Sequence, residues 1–207
     1  MSQYFQIHPR DPQPRLINRV VDIIRGGGVV VYPTDSCYAL GCHVGNKSAM
    51  ERVRRIRQAG RNHNFTLVCK DLSEISLYAR VDNATYRRLR SLTPGPYTFI
   101  LVATREVPKR LQNPKRKTIG IRVPDHAVCQ AMLSELNEPI MSSTLLLPGE
   151  PLPMTDPEEM QDRLEADVDA VIDSGSCGLD LTTVIDMAGS TPRVIRQGRG
   201  VVVGIEG

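Results

Sequence analysis

The chain has 207 residues, of which 41% are hydrophobic and 24% charged, proportions that exclude a disordered or fibrous polypeptide. Aromatic residues make up only 4%, with no tryptophan, so a surface that grips strands by stacking bases on rings is a poor expectation. Its 26 basic and 23 acidic side chains leave a formal net charge of +3, so any phosphate-binding role has to come from local clustering of cations.

Tyr4 to Ile7 reads as a short opening strand, closed by Pro9, Pro12 and Pro14. From Arg15, the positions Leu16, Val20, Ile23 and Ile24 recur at helical spacing, and Gly26-Gly27-Gly28 ends that helix. Val29 to Tyr32 has the length and β-branched content of a buried strand. Ala49, Val53 and Ile56 predict a second helix before Gly60, and Thr66 to Cys69 another buried strand. Two helices are expected near 72–79 and 83–91, ahead of the break at Pro94-Gly95-Pro96. Tyr97 to Ala103 and Thr118 to Val123 are β-rich, Ala127 to Leu136 is helical, and Pro139 to Ser143 is extended. Further apolar pieces are Ala170–Ile172, Thr183–Ile185, Val194–Ile195 and Val201–Val203. The short gap between Val184 and Val194 suits an antiparallel pair, whereas helical crossovers allow parallel neighbours. The expectation is one α/β domain (α+β mixed) over 1–207, a twisted mixed sheet carrying helices, without repeats or a linker.

No apolar run approaches the roughly 20 residues of a membrane-spanning helix, and the first ten residues show no basic start leading into an apolar stretch. Cys37, Cys42, Cys69, Cys129 and Cys177 form an odd set without Cys-x-x-Cys, which argues against a disulfide framework or zinc knuckle. A reduced, cytoplasmic protein is expected. His8, His43, His63 and His126 are scattered and show no metal-ligand spacing.

Gly41 to Ser48 resembles a phosphate loop at a glance, but only three residues separate its glycines and Asn46 precedes Lys47. Pro33-Thr34-Asp35-Ser36-Cys37-Tyr38-Ala39-Leu40-Gly41 is more informative, since it follows an apolar strand with hydroxyls able to hold a small polar ligand. Those residues by themselves also suit an ordinary strand-to-turn junction.

Pro33 to Gly41 resembles the P-T-D-T-x-Y-G-L-G signature of the YrdC/TsaC-type threonylcarbamoyl-adenylate synthase family. Pro94 to Thr98 is similar to its P-G-P-x-T, Ile121 to Pro124 to its (I/V)-R-x-P, Thr182 to Asp186 to its S-T-V-(I/V)-D, and Arg193 to Gly198 to its R-x-x-R-x-G. All five occur in family order, with the YciO-type branch the nearest likeness. The resemblance implies a YrdC/RibB-like domain with a positively lined cavity. It also implies use of ATP, L-threonine and bicarbonate to make threonylcarbamoyl-AMP and pyrophosphate for a tRNA modification. Mg²⁺ would accompany ATP, and no cofactor would be tightly bound. By position, Thr34 and Tyr38 would lie near the amino acid, Arg122 and Thr182 would bind threonine or acidic ligand groups, and Arg196 would meet nucleotide phosphate. The strand-end Arg122 is expected to face the cavity and to be dispensable for folding.

The sequence departs from the family at two nucleotide-holding motifs. Counted without gaps, the K-x-R pair falls on Arg57-Gln58-Ala59, a further lysine on His63, and the S-x-N pair on Thr144-Leu145-Leu146. Arg61 would restore the missing charge under a shifted alignment, and Leu145-Leu146-Leu147 reads as an apolar turn packed on the core. Arg57 and Thr144 remain as nucleotide contacts. Losing two hydrogen bonds to charged groups costs about 3–6 kcal/mol of transition-state binding, on the order of 10²–10⁴ in rate.

Lys109, Arg110, Lys115, Arg116 and Lys117 form a basic stretch with no acid between Val107 and Lys117. They suit either a solvated loop or salt-dependent contact with a phosphate backbone; the YrdC-like fold is also associated with double-stranded RNA. Two expectations stand. One is a protein handling ATP or an adenylate, with weak or altered synthase chemistry or cleavage of that adenylate. The alternative is a double-stranded RNA or tRNA-binding module without efficient catalysis.

Overall fold

Alternating apolar patterns of period two and period 3.6 set out the elements of the computed structural model, which describes residues 1–60 and 63–204. In chain order they are β1 (Gln3–Gln6), α1 (Pro14–Arg25), β2 (Val29–Tyr32), β3 (Ala39–His43), α2 (Lys47–Ile56), β4 (Thr66–Val68), α3 (Leu72–Tyr78) and α4 (Asn83–Leu92). Then follow β5 (Tyr97–Val102), β6 (Thr118–Arg122), α5 (Ala127–Leu136), β7 (Ile140–Thr144), α6 (Pro157–Leu164), β8 (Ala170–Asp173), β9 (Thr183–Asp186) and β10 (Arg193–Arg196). The strands form one 10-stranded mixed sheet in the order β1-β8-β2-β3-β7-β4-β6-β5-β9-β10. β9 and β10 pair antiparallel, and β8 lies parallel to both β1 and β2.

Three stretches differ from the sequence reading. Ala39 to His43, read in part as a strand-to-turn junction, is the central strand β3, and beyond it the Asn46 carboxamide accepts from the Ala49 N–H at 2.8 Å and caps α2. α6 was hidden inside an acidic stretch, yet Pro157, Met160 and Leu164 are buried at helical spacing behind the Asp156 cap. Val201 to Val203, an apolar piece of the sequence, is irregular rather than packed in the sheet, with Val203 90% exposed: β10 already ends the sheet.

The sheet separates two apolar cores. One packs Leu40, Leu67, Phe99, Ile121, Met141 and Ile185 beneath α2, α3, α4 and α6. The other packs Val30, Tyr32, Ala39, Val68, Ile140 and Ile172 beneath α1 and α5. Each fully buried branched chain contributes about 1.5–3 kcal/mol relative to exposure, so the two layers fix which face every strand shows. α1 and α5 contact each other closely and cover only part of their face. The remainder of that face carries the site.

Candidate functional site

Strand register puts Ser142 of β7, Thr66 of β4, Gly120 of β6 and Ile100 of β5 side by side. Their chain neighbours Met141, Leu67, Ile121 and Phe99 or Leu101 point into the first core. Because side chains alternate along a strand, the row itself faces the other way. Small and hydroxylated residues in that row leave a hollow of about 430 Å³. Gly120 deepens its floor: a Cβ there would meet Thr66 Oγ1 at 3.2 Å and Thr98 Cγ2 at 3.4 Å.

Arg57, Arg116, Arg122 and Arg196 line the hollow together with Thr98, Ser142, Ser143, Thr144 and Thr182, and no acidic side chain is among its described lining residues. Arg57 stands at the C-cap of α2 and donates to the Leu146 carbonyl, while its buried Nε has no partner. Arg196 donates from Nε and Nη2 to the Thr182 carbonyl at 3.2 and 2.9 Å. Neither arginine has a carboxylate partner among the described residues. Burial pushes both guanidinium groups down from their ordinary value, the mark of positive charge held short of counter-charge.

Arg122 is different. It lies 7% exposed, ion-paired with Asp35 and 3.4 Å from Ser36 Oγ. It lines the cavity as expected from its strand-end position, but its charge is matched internally and the expectation that the fold is indifferent to it has to be withdrawn. Arg116 pairs with Asp186 at 2.6 Å.

Thr34 and Tyr38 are outside the cavity lining. Thr34 Oγ1 donates to the Cys37 carbonyl at 2.6 Å, and Tyr38 donates to the Gly175 carbonyl at 2.7 Å, so both brace the loop that carries Asp35 and Cys37. Cys37 does line the cavity, and burial raises its thiol pKa, keeping it protonated at neutral pH. Leu145 and Leu147 are buried in the core, but Leu146 lines the cavity, so the apolar-turn reading holds for two leucines and fails for the third. Ala59 is not among the lining residues, and Arg61 lies outside the described residues.

The basic stretch becomes the connection from β5 to β6. Arg110 donates to the Val44 and Gly45 carbonyls at 3.1 and 2.8 Å, and Arg116 is held by Asp186, leaving the Lys109, Lys115 and Lys117 ammonium groups exposed and without a partner among the described residues. His63, set by sequence at the place of a family lysine, does line the cavity, while Ser142 and Ser143 are site residues that the sequence reading missed. The run Ser142-Ser143-Thr144 closing an apolar strand is the signal that was present.

Among the described residues, no group of three or more His, Cys, Asp or Glu is placed to hold a metal ion, and no helix is long and apolar enough to cross a membrane. Hard divalent cations take carboxylate and phosphate oxygens. The described lining offers Mg²⁺ no carboxylate, so a phosphorylated ligand would have to supply its oxygens.

The family model Sua5_yciO_yrdC, described as "Telomere recombination", matches residues 22–198. The protein YciO of Escherichia coli (strain K12) is 56% identical over 202 residues, covering 98% of each chain. Its crystal structure superposes with a TM-score of 0.94 over 97% of this chain and 98% of that one. A threonylcarbamoyl-AMP synthase of Vibrio vulnificus (strain YJ016) is 29% identical over 159 residues, 75% of this chain and 84% of the other. The P. abyssi Sua5 structure complexed with L-threonine shares the fold, with a TM-score of 0.87 at 20% identity. The match covers 95% of this chain and 58% of Sua5.

Proposed function

This chain belongs to the Sua5/YciO/YrdC family, and on that premise we propose that its cavity binds ATP or an acyl-adenylate of the threonylcarbamoyl-AMP type, with L-threonine as the smaller ligand, in chemistry linked to tRNA modification. One observation carries the reading: Arg57 and Arg196 face a hollow whose described lining holds no acid, and among the described residues they bond only to carbonyl and hydroxyl oxygens. Arginine matches phosphate in a bidentate fork, and fixed cations facing a partly dry recess stabilise developing phosphate charge without reorganising.

Synthase turnover is weak or altered in this proposal, because Leu146 brings an apolar side chain to the wall where the resemblance leads one to expect an asparagine. The hydroxyls of Thr144 and Thr182 and the guanidinium of Arg122 complete the polar lining. Thr34 and Tyr38 act indirectly, by shaping the loop behind Asp35.

Calorimetry with ATP, L-threonine and duplex RNA tests the proposal. ATP binding that tightens in the presence of threonine is the expected result. Binding of duplex RNA alone, with a salt dependence that flattens when Lys109, Lys115 and Lys117 are neutralised, would transfer the function to the basic connection and overturn the cavity reading.

A further inference from the structure

His63 and Ser143 meet at the wall of the cavity. His63 precedes β4, Ser143 belongs to β7, and the imidazole Nε2 lies 3.2 Å from Ser143 Oγ. Both side chains line the hollow beside Arg57. The His63 ring is steadied edge-on by Phe65, with centroids 5.1 Å apart and planes at 79°. The charged groups facing it among the described residues are Arg57 and Arg54, and no acidic partner reaches it. A base within reach of a hydroxyl, next to a guanidinium lacking a counter-ion, is the arrangement that acyl transfer requires.

We propose that His63 and Ser143 are a base–nucleophile pair that hydrolyses the acyl–phosphate anhydride of an adenylate bound in the cavity. The inference rests on the nucleotide reading given above. With the ring proton on Nδ1, His63 Nε2 accepts the Ser143 hydroxyl proton while Oγ adds to the acyl carbonyl carbon. The bond from that carbon to the phosphate oxygen then breaks, and AMP leaves with the electron pair and takes the proton from His63, so that the ring is neutral again and Arg57 meets the remaining phosphate charge. A water adds to the acyl-serine, His63 relays its proton, and the serine hydroxyl is restored as the free acid departs. The net change consumes one anhydride and one water and yields one acid and AMP, with no redox partner.

Burial, reinforced by Arg57 and Arg54, holds the His63 imidazole below its ordinary value, so the ring is a neutral base at pH 7. Activity is therefore expected to persist through neutral pH and to fall on acidification, with its midpoint below the ordinary histidine value.

The probe is threonylcarbamoyl-AMP, freshly made by a synthase and separated from it, with AMP release followed in parallel with AMP binding by calorimetry. The full chain is expected to speed AMP release over buffer. His63→Gln and Ser143→Ala should each slow that release about 10²–10⁴-fold while AMP affinity and thermal midpoint stay unchanged. His63→Gln should also abolish the acidic limb of the pH profile, and intact-mass analysis should detect an acyl group on the wild-type chain but not on Ser143→Ala. Variants as fast as wild type, or a wild-type chain that binds AMP yet releases none faster than buffer, overturn the pair and leave nucleotide binding standing. Failure to bind AMP at all overturns both.

Discussion

A guanidinium group withdrawn from water needs a carboxylate, a ring of carbonyl oxygens or an arriving anion, and the four arginines of this cavity divide along that line. Arg122 has Asp35, with both side chains only 9% exposed. Removing one member leaves the other charged, buried and unpaired, so Arg122→Ala is expected to lower stability by about 3–5 kcal/mol in a urea titration. A loss of ligand affinity in that variant therefore says little about contact. Arg196 is the cleaner probe, since it bonds to Thr182 oxygens and to no carboxylate among the described residues. Arg196→Ala should leave the urea midpoint nearly unchanged and weaken ATP binding at least about tenfold, the value of one hydrogen bond to a charged group. Unaltered ATP affinity in a folded Arg196→Ala protein would remove this arginine from the site.

Strands show the same division between what a local pattern tells and what pairing decides. In β6, Thr118-Ile119-Gly120-Ile121-Arg122, the isoleucines enter the core while threonine, glycine and arginine face the hollow. Gly120 has no conformational need to be glycine. Its role is space, which its neighbours Thr66 and Thr98 would contest. Gly120→Val should thus fill the cavity floor, lowering ATP affinity at least about tenfold while the β-favouring side chain limits the stability loss to roughly 1 kcal/mol, both read from one calorimetric series. β3 was not legible because Gly41 interrupts its apolar run, and only pairing with β2 and β7 makes it a central strand. α6 was legible in principle from Met160 and Leu164, but exposed acids dominate its text. The β5–β6 connection reads as five free cations, yet carbonyls at Val44 and Gly45 and the Asp186 carboxylate engage two of them.

Across the whole molecule, several arginines outside the cavity meet acids. Arg52 pairs with Asp169 at 2.8 Å, Arg54 with Glu51 at 3.3 Å, and Arg163 with Glu150 and Glu159 at 2.9 and 3.1 Å. These surface pairs each contribute at most about 1 kcal/mol, but they leave Arg57, alone of its helix, turned to the hollow. Two histidines carry a pH signature for the entire fold. Burial lowers the pKa of His126, as it does that of His63, so the unfolded chain binds protons more readily than the folded one. Stability from these groups is fully present above the ordinary histidine value of about 6.5 and is lost as pH falls through their depressed folded values. Urea midpoints should accordingly decline from pH 7 toward acid, and His126→Gln should flatten that decline; an unchanged slope would show that the Nδ1 of His126, buried without a partner, carries no such coupling.

Sequence alone determined the family-ordered motifs, most of the apolar elements and the mixed sheet, because periodicity, caps and strand-ending prolines act over a few residues of chain. It also marked Arg57, Thr144, Thr182 and Arg196, which tertiary structure brings into one hollow from the end of α2, the end of β7, the residue before β9 and the end of β10. Only the tertiary structure decided which charges remain available. Asp35 and Arg122 are separated by 87 positions yet neutralise each other, and His63 and Ser143, 80 apart, become hydrogen-bonded neighbours. Pairing of that kind depends on strand register and on where helices stop covering the sheet, and neither is written in the local order of residues.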